Sequence, residues 1–84
     1  MGKVGCEALL LGPLRELAGV DSVALVLEAP ATAADAWEAV VRAFPQVGSA
    51  RTSLAVAINA AYCSWAVAVA DNDVLAFIPP VSGG

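Results

Sequence analysis

Apolar residues in this chain fall into short runs separated by glycine, proline and other turn-forming residues, a pattern that favours strands over long helices. Five such runs predict five strands, at residues 6–11, 22–27, 54–59, 61–65 and 74–78. A short helical turn is predicted at 14–18, and Gly19 suits the position just after it. The Asp-Asn-Asp sequence at 71–73 predicts a tight turn before the last strand, because these side chains accept hydrogen bonds from nearby backbone N–H groups.

One segment has the period of an amphipathic helix instead. Its apolar positions recur at Trp37, Val40, Val41 and Phe44. Thr32 is a suitable N-cap, with Asp35 three residues later in a variant of the capping box. Because a residue before proline avoids helical dihedrals, we expect the helix to end before Pro45.

The predicted order is therefore two strands, one main helix and three strands, which indicates an α+β domain with a helix across one face of a sheet. No predicted element is left to cover the other face of that sheet. Alternation along the first and last strands makes four residues candidates for this uncovered face, and hence for contact with a partner: Leu9, Leu11, Leu75 and Phe77.

Composition supports a partner and excludes several classes of function. Of the 84 residues 60% are apolar, more than a single small core can bury, and an exposed apolar patch usually marks a protein interface. The absence of histidine excludes Ser-His-Asp triads, Cys-His pairs and zinc sites built on histidine. A net charge of −4 with only four Lys and Arg residues argues against nucleic-acid binding.

The two cysteines and the uncharged stretch at 54–70 have unremarkable interpretations. Cys6 and Cys63 form no metal or redox motif, so we expect them to be buried and unreactive. The stretch at 54–70 is too short and too polar for a membrane helix and fits two strands better. With no signal peptide visible, we expect a cytoplasmic protein that binds neither membrane nor metal.

The end of the chain carries the clearest chemical signal. Prolines stop the last strand, and they are followed by Val-Ser and then by Gly83-Gly84. Glycines leave no side chain to hinder an enzyme that approaches the α-carboxylate of Gly84. We therefore expect a domain at 1–78 and a flexible tail at 79–84, with Gly84 as the reactive residue.

Three segments make the chain resemble the small, sulfur-carrying subunits of molybdopterin synthase, which are β-grasp, ubiquitin-like proteins. They are residues 14–19 (Leu-Arg-Glu-Leu-Ala-Gly), 57–59 (Ala-Ile-Asn) and 76–84 (Ala-Phe-Ile-Pro-Pro-Val-Ser-Gly-Gly). The last segment is the most specific. The chain departs from the family at 71–73, where a glycine is frequent, and in the bland segments 60–61 and 66–68.

The resemblance implies a mixed sheet of about five strands and a protein that has no activity alone. It implies that a ubiquitin-activating-type adenylyltransferase uses ATP to adenylate Gly84, which then becomes a thiocarboxylate. The sulfur is donated to cyclic pyranopterin monophosphate in the active site of the synthase large subunit, during molybdenum cofactor biosynthesis in a hetero-oligomer. No cofactor is expected on the chain itself. The residues expected to enter that active site are Pro79, Pro80, Val81, Ser82 and Gly83.

The residues leave other functions open. The same carrier chemistry could serve thiamine synthesis, cysteine synthesis or tRNA thiolation, since the acceptor of the sulfur is not encoded in this chain. A ubiquitin-like modifier, joined through Gly84 to a lysine of another protein, belongs to a different class. An interaction module whose tail has no chemical role is a further alternative.

Overall fold

The computed structural model describes residues 2–48 and 54–80. The helices are α1 (Pro13–Ala18) and α2 (Ala33–Ala43), and a short 3₁₀ turn follows α2 at 45–48. The strands are β1 (Lys3–Leu10), β2 (Ser22–Glu28), β3 (Ala31–Thr32), β4 (Ala55–Ile58), β5 (Ala61–Cys63), β6 (Ala68–Val69) and β7 (Val74–Ile78). Neither of these helices is long and apolar enough to cross a membrane, among the residues described.

Five strands form one mixed sheet in the order β2-β1-β7-β4-β5. The central pair, β1 and β7, is parallel, and the other neighbouring pairs are antiparallel. This confirms the predicted α+β class, the five-stranded mixed sheet and the single main helix. The strands β3 and β6 form a separate two-stranded sheet that the sequence did not predict.

The main helix begins and ends where local signals predicted. The Thr32 hydroxyl accepts a hydrogen bond from the Asp35 N–H at 3.3 Å, and the Asp35 carboxylate accepts one from the Thr32 N–H at 2.8 Å. This is a complete capping box, which satisfies backbone donors that a helix start leaves unpaired. Phe44 is the C-cap, directly before Pro45. The smaller helix α1 ends at Gly19 with a left-handed φ of 81°, a conformation that glycine adopts without steric cost.

The core lies between α2 and one face of the sheet. From the helix, the buried side chains are Ala33, Ala36, Trp37 and Val40. From the sheet, they include Cys6, Ala8, Leu10, Leu25, Leu27, Val56, Leu75 and Phe77. The ring of Trp37 contacts that of Phe77 edge-to-face, with centroids 5.0 Å apart and planes at 62°. Aromatic pairs in this geometry add stability beyond the area that they bury.

The first strand begins three residues earlier than predicted. Lys3 pairs with Glu28 across β1 and β2, and their side chains form an exposed ion pair. Lys3 and Gly5, on either side of Val4, have little intrinsic preference for strands. The apolar run that predicted this strand therefore began only at Cys6. Pairing with β2 therefore extends β1 beyond its apolar segment.

Candidate functional site

The chain leaves the sheet from its central strand. β7 lies between β1 and β4, with Phe77 opposite Leu10 on one side and opposite Val56 on the other. Because β1 and β7 are parallel, their carboxyl ends lie at the same edge of the sheet. Pro79 follows β7 directly, so this edge is where the predicted tail begins.

The loop after β1 borders this exit. A Cβ atom placed on Gly12 would lie 3.5 Å from Cγ of Pro79, which is ordinary van der Waals contact. Gly12 has a φ of 55° and a ψ of −129°, a backbone conformation that residues with a Cβ atom rarely adopt. Leu11, beside it, is 41% exposed. The exit is therefore bordered by Gly12 and by the exposed apolar side chain of Leu11. At Gly12 the backbone conformation favours glycine, although there is room for a Cβ atom.

Phe77 holds the end of β7 in the core. Its side chain is fully buried, and it lies between two tryptophans. Trp37 approaches the ring by its edge, and Trp65 stacks on it with centroids 5.9 Å apart and planes 7° from parallel. Since Phe77 is two residues before Pro79, these contacts anchor the strand immediately before the tail.

The second face of the sheet has no covering element among the described residues and is mostly apolar. Strand pairing places five residues side by side across the whole sheet: Ser22, Leu9, Ala76, Ala57 and Tyr62. Val26, opposite Gly5, lies on the same face and is 70% exposed, and Tyr62 is 74% exposed. We call this surface, from Val26 to Tyr62, the open face.

Two of the four residues predicted for this face lie on the other one. Leu9 pairs with Ala76, and therefore Leu75 projects to the opposite side, together with Phe77. Both Leu75 and Phe77 are fully buried beneath α2, so the prediction that they face a partner is wrong. Leu9 is half-buried and on the open face, while Leu11 follows β1 at the exit. That these two leucines contact a partner stays a prediction.

Sequence reasoning missed the open-face residues outside β1 and β7. Val26, Ala57, Ala76 and Tyr62 were not predicted there, although they share this face with Leu9 and Ala76 is its direct neighbour. Lys3 and Glu7 lie on the same face of β1 as Leu9 and alternate with buried residues. These two polar residues were the available signal for which side of the strand meets solvent. Applied to β2, where Ser22 and Glu28 are polar, it would have placed Val26 on the open face, whereas β7 has no polar residue to mark its faces.

The opposite edge of the sheet is closed by a network of side-chain to backbone hydrogen bonds. The Asp71 carboxylate accepts from the Gly5 N–H at 2.7 Å. The Asp73 carboxylate accepts from the Ala70 N–H at 2.8 Å and from the side-chain amide of Asn59 at 2.9 Å. The hydrogen bond from the Ala70 N–H lowers the pKa of Asp73 most, and the one from Asn59 lowers it further below its ordinary value.

This turn also explains a departure from the family. Asn72, within the turn, has a φ of 69°, and Asn59, in the separate turn between β4 and β5, has a φ of 50°. Asparagine visits the left-handed region more readily than most residues with a side chain. The predicted tight turn at 71–73 is thus confirmed, and asparagine occupies the position where a glycine would be expected.

Within residues 2–48 and 54–80, no group of three or more Cys, Asp or Glu side chains is arranged to hold a metal ion. Both cysteines are free. Cys6 is buried as expected, and burial raises the pKa of its thiol, with smaller contributions from Asp73 and Asp71. A thiol with a raised pKa is a weaker nucleophile at neutral pH. Cys63 is only half-buried, which corrects the prediction for that residue.

The remaining predicted site residues are in the tail. Pro79 is half-buried and Pro80 is exposed. Val81, Ser82, Gly83 and Gly84 lie outside the described residues. The structure therefore brings together the exit, the anchored Phe77 and the open face, but it does not test the roles predicted for the tail.

Comparison with known proteins gives the family of a chain with this architecture. The sequence profile of the ThiS family matches residues 8–84. The chain belongs to the ThiS family. The match extends from β1 through the predicted tail to Gly84. Together with the Arabidopsis thaliana relative described next, it confirms the resemblance to sulfur-carrier small subunits.

Relatives within and around the ThiS family carry two kinds of name. The molybdopterin synthase sulfur carrier subunit of Arabidopsis thaliana is 33% identical over 81 residues, which cover 96% of this chain and 84% of that one. SAMP1 of Haloferax volcanii, a small archaeal modifier protein, is 34% identical with a TM-score of 0.87, covering 99% of this chain and 100% of its own.

Another solved structure shows the fold in an assembly. It is the complex of subunits 1 and 2 of the molybdopterin-converting factor from Helicobacter pylori. The matched chain is 21% identical, with a TM-score of 0.65, and the match covers 96% of this chain and 100% of that one. At this identity the likeness shows the shared fold alone, which is the ubiquitin-like β-grasp.

Proposed function

We propose that this protein is the sulfur-carrier small subunit of a molybdopterin synthase. The observation that carries the proposal is the path of β7, whose buried Phe77 anchors the central strand two residues before the tail sequence Pro79-Pro80-Val81-Ser82-Gly83-Gly84. The 33% identity to the Arabidopsis thaliana sulfur carrier subunit supports the same function. In this proposal the domain is a rigid handle and Gly84 carries the reactive atom.

The proposed chemistry begins with activation of the Gly84 carboxylate. One carboxylate oxygen attacks the α-phosphorus of ATP, and pyrophosphate leaves, in the active site of a ubiquitin-activating-type adenylyltransferase. A hydrosulfide equivalent then attacks the acyl carbon and AMP departs, which leaves a thiocarboxylate. A carboxylate is a poor electrophile, and the acyl phosphate anhydride supplies the good leaving group that it lacks.

The thiocarboxylate then donates sulfur in the large subunit. Its sulfur attacks a carbon of cyclic pyranopterin monophosphate and displaces the oxygen substituent of that carbon, and water then cleaves the acyl–sulfur bond to return the Gly84 carboxylate. Two loaded chains supply the two sulfurs of the dithiolene. A thiocarboxylate is ionised at neutral pH, so this chain needs no general base of its own, which agrees with its lack of histidine.

Reach and surface both support delivery into a partner. Residues 79–84 span roughly 20 Å when extended, enough to enter a deep active site while the domain stays outside. The open face, with Leu9 near its centre and Tyr62 at its rim, is the surface that we propose to dock on the large subunit. An exposed apolar surface of this kind is typical of a protein interface.

Intact-protein mass spectrometry tests the loading step. The chain is incubated with ATP, the adenylyltransferase and a sulfur donor, and its mass is expected to rise by the difference between sulfur and oxygen. A Gly84→Ala variant, which adds one methyl group at the reacting residue, is the matched control and should load more slowly. An unchanged mass with Gly84 intact would rule out every sulfur-carrier function.

Co-purification identifies the acceptor. The loaded chain is expected to retain a synthase large subunit and to convert cyclic pyranopterin monophosphate to molybdopterin when mixed with it. Retention of a thiazole synthase instead would reassign the carrier to thiamine synthesis. The sulfur loading would then stand while the molybdopterin assignment would fail.

A ubiquitin-like modifier is the second candidate function. The likeness to SAMP1, at 34% identity over almost the whole chain, favours it. In that case the acyl adenylate is attacked by a lysine amine, and Gly84 becomes an isopeptide. Conjugates that persist after thiol treatment and disappear when Gly84 is deleted would support the modifier. Their absence from cells that contain loaded thiocarboxylate would exclude it.

A further inference from the structure

The outer edge of β2 is an unpaired strand edge. β2 is the first strand in the sheet order, and none of the described strands pairs with its outer side. An unpaired edge presents a row of backbone donors and acceptors to any chain that can align with it. The seven residues of β2 make this edge longer than that of β5, at the other end of the sheet, which has three.

Hydrogen bonds at both ends of β2 show which backbone groups point outward. The Leu10 N–H donates to the Asp21 carbonyl, and the Ala29 N–H donates to the Gly2 carbonyl. In an antiparallel pair the bonded positions alternate, so Val23, Leu25 and Leu27 direct their N–H and C=O groups toward β1. Four residues direct theirs away from the sheet: Ser22, Ala24, Val26 and Glu28.

Three of these four positions lack the features that usually protect an edge. Natural edge strands are blunted by charged side chains, above all lysine, and by proline, bulges or inward-pointing charges. β2 has no lysine, proline or bulge, its register with β1 is unbroken, and its one charged residue, Glu28, is at its last position and is paired with Lys3. Val26, the most exposed aliphatic side chain on the open face, stands on this edge. The edge therefore has both unpaired backbone groups and an apolar side chain to bury.

The edge is complementary to itself. When two antiparallel β2 strands meet with Leu25 opposite Leu25 of the second copy, all four outward-pointing residues fall in hydrogen-bonded positions. Ala24 then pairs with Val26, and Ser22 pairs with Glu28. No like charges stand opposite each other, and Val26 and Ala24 of the two copies bury one another. This isologous arrangement has the two-fold symmetry of most small homodimers.

We propose that the occupant of this edge is a second copy of the chain, joined through β2 into one continuous sheet. The two-fold axis is perpendicular to the sheet, so the two open faces lie on the same side and the two β7 strands run in opposite directions. The two chain exits, at the carboxyl ends of the β7 strands, then point in opposite directions along the strands of the joined sheet. This inference goes beyond the proposed function, because the pairing needs neither Gly84 nor sulfur.

Amide hydrogen exchange gives a specific test, read residue by residue at low and high protein concentration. The outward amides of Ala24 and Val26 are expected to slow by more than about tenfold as concentration rises, since pairing removes them from water. The inward amides of Val23 and Leu25 are expected to be protected at both concentrations. Sedimentation should show a change from monomer to dimer over the same range. A monomer at all concentrations would overturn the proposal.

Three variants, two at the β2 edge and one at the far rim of the open face, separate edge pairing from association through the open face. Ala24→Pro removes an outward N–H without breaking a bond to β1, and proline is tolerated at such edge positions. Val26→Lys is the second edge variant, for use if the proline prevents folding. Tyr62→Lys alters the open face at the opposite rim. The proposal requires that the edge variants abolish the dimer and that Tyr62→Lys retains it; the reverse result would refute it.

Discussion

The indole of Trp65 stacks on the ring of Phe77, with centroids 5.9 Å apart and planes 7° from parallel. Trp37 meets the same ring from its edge on the helix side. Phe77 is thus the last fully buried side chain before the tail, and two aromatic neighbours from different parts of the chain position it. Aromatic packing around Phe77 therefore fixes the end of β7 at the exit.

Phe77→Ala should therefore be among the most destabilising single changes. Removing a fully buried phenylalanine costs about 3–5 kcal/mol, a large share of the stability of so small a domain. Phe77→Leu keeps most of the apolar volume but loses both ring contacts, and it should cost less. Urea denaturation measures both. Ile78→Ala, one residue later on the open face, is the control, and a cost as large as that of Phe77→Ala would contradict the anchoring role.

Local signals made most of the fold predictable. Thr32, Asp35 and Pro45 mark the ends of α2, and each acts through a contact with a residue close in sequence. The small sheet of β3 and β6 had no such signal, because Ala31 and Val69 are far apart in the chain and each strand has only two residues. Pairing of that kind is decided by tertiary packing.

The main feature that could not be predicted from the sequence was which alternate residues of β7 face the core. Every residue from Val74 to Ile78 is apolar, so alternation does not distinguish the two faces of this strand. Glu7 marks the solvent side of β1, but the relation between β1 and β7 depends on their parallel register, with Leu9 opposite Ala76. Leu75 and Phe77 were assigned to the wrong face for that reason.

Leu9→Lys should weaken docking on the synthase large subunit. Leu9 lies between Ser22 and Ala76 on the open face, and a charge there would have to be desolvated in the complex. We expect at least about a tenfold rise in Kd, which is the effect of losing roughly 1.4 kcal/mol. Isothermal titration calorimetry with the purified large subunit provides the measurement.

The control for this variant is Val67→Lys, which changes an exposed aliphatic residue next to β6, away from the five-stranded sheet. It should leave the Kd unchanged. Thermal unfolding of both variants checks that Leu9→Lys has not simply unfolded the domain, since Leu9 is half-buried. Equal losses of affinity in the two variants would argue against docking through the open face.

The stability of the domain should depend on Asp73 in acid. Hydrogen bonds from the Ala70 N–H and the Asn59 amide lower the pKa of Asp73 in the folded state. Its contribution is therefore fully present above the ordinary pKa of aspartate, about 3.9, and is lost as the pH falls through the lower folded value. Asp73→Asn should flatten this part of the profile of unfolding free energy against pH, measured by urea denaturation.

Asn59→Gly should have a smaller effect on the acid dependence than Asp73→Asn. Glycine accepts the positive φ of this position, so the change removes the amide without adding backbone strain. Because the hydrogen bond from Ala70 remains, the acid dependence should shrink but not disappear. A profile that is the same in wild type and in Asp73→Asn would show that Asp73 contributes nothing to the acid dependence.

Gly12→Ala should disturb the exit of the chain as well as the loop that contains it. A residue with a Cβ atom at a φ of 55° and a ψ of −129° is strained by about 1–3 kcal/mol, and the added methyl group would contact Pro79. Gly19→Ala is the matched control, with a positive φ at the other end of α1 but open space around its Cβ position. Both variants should lose stability in urea. Only Gly12→Ala should shift the amide resonances of Phe77 and Ile78, and equal shifts in both variants would show that Gly12 has no particular connection to the exit.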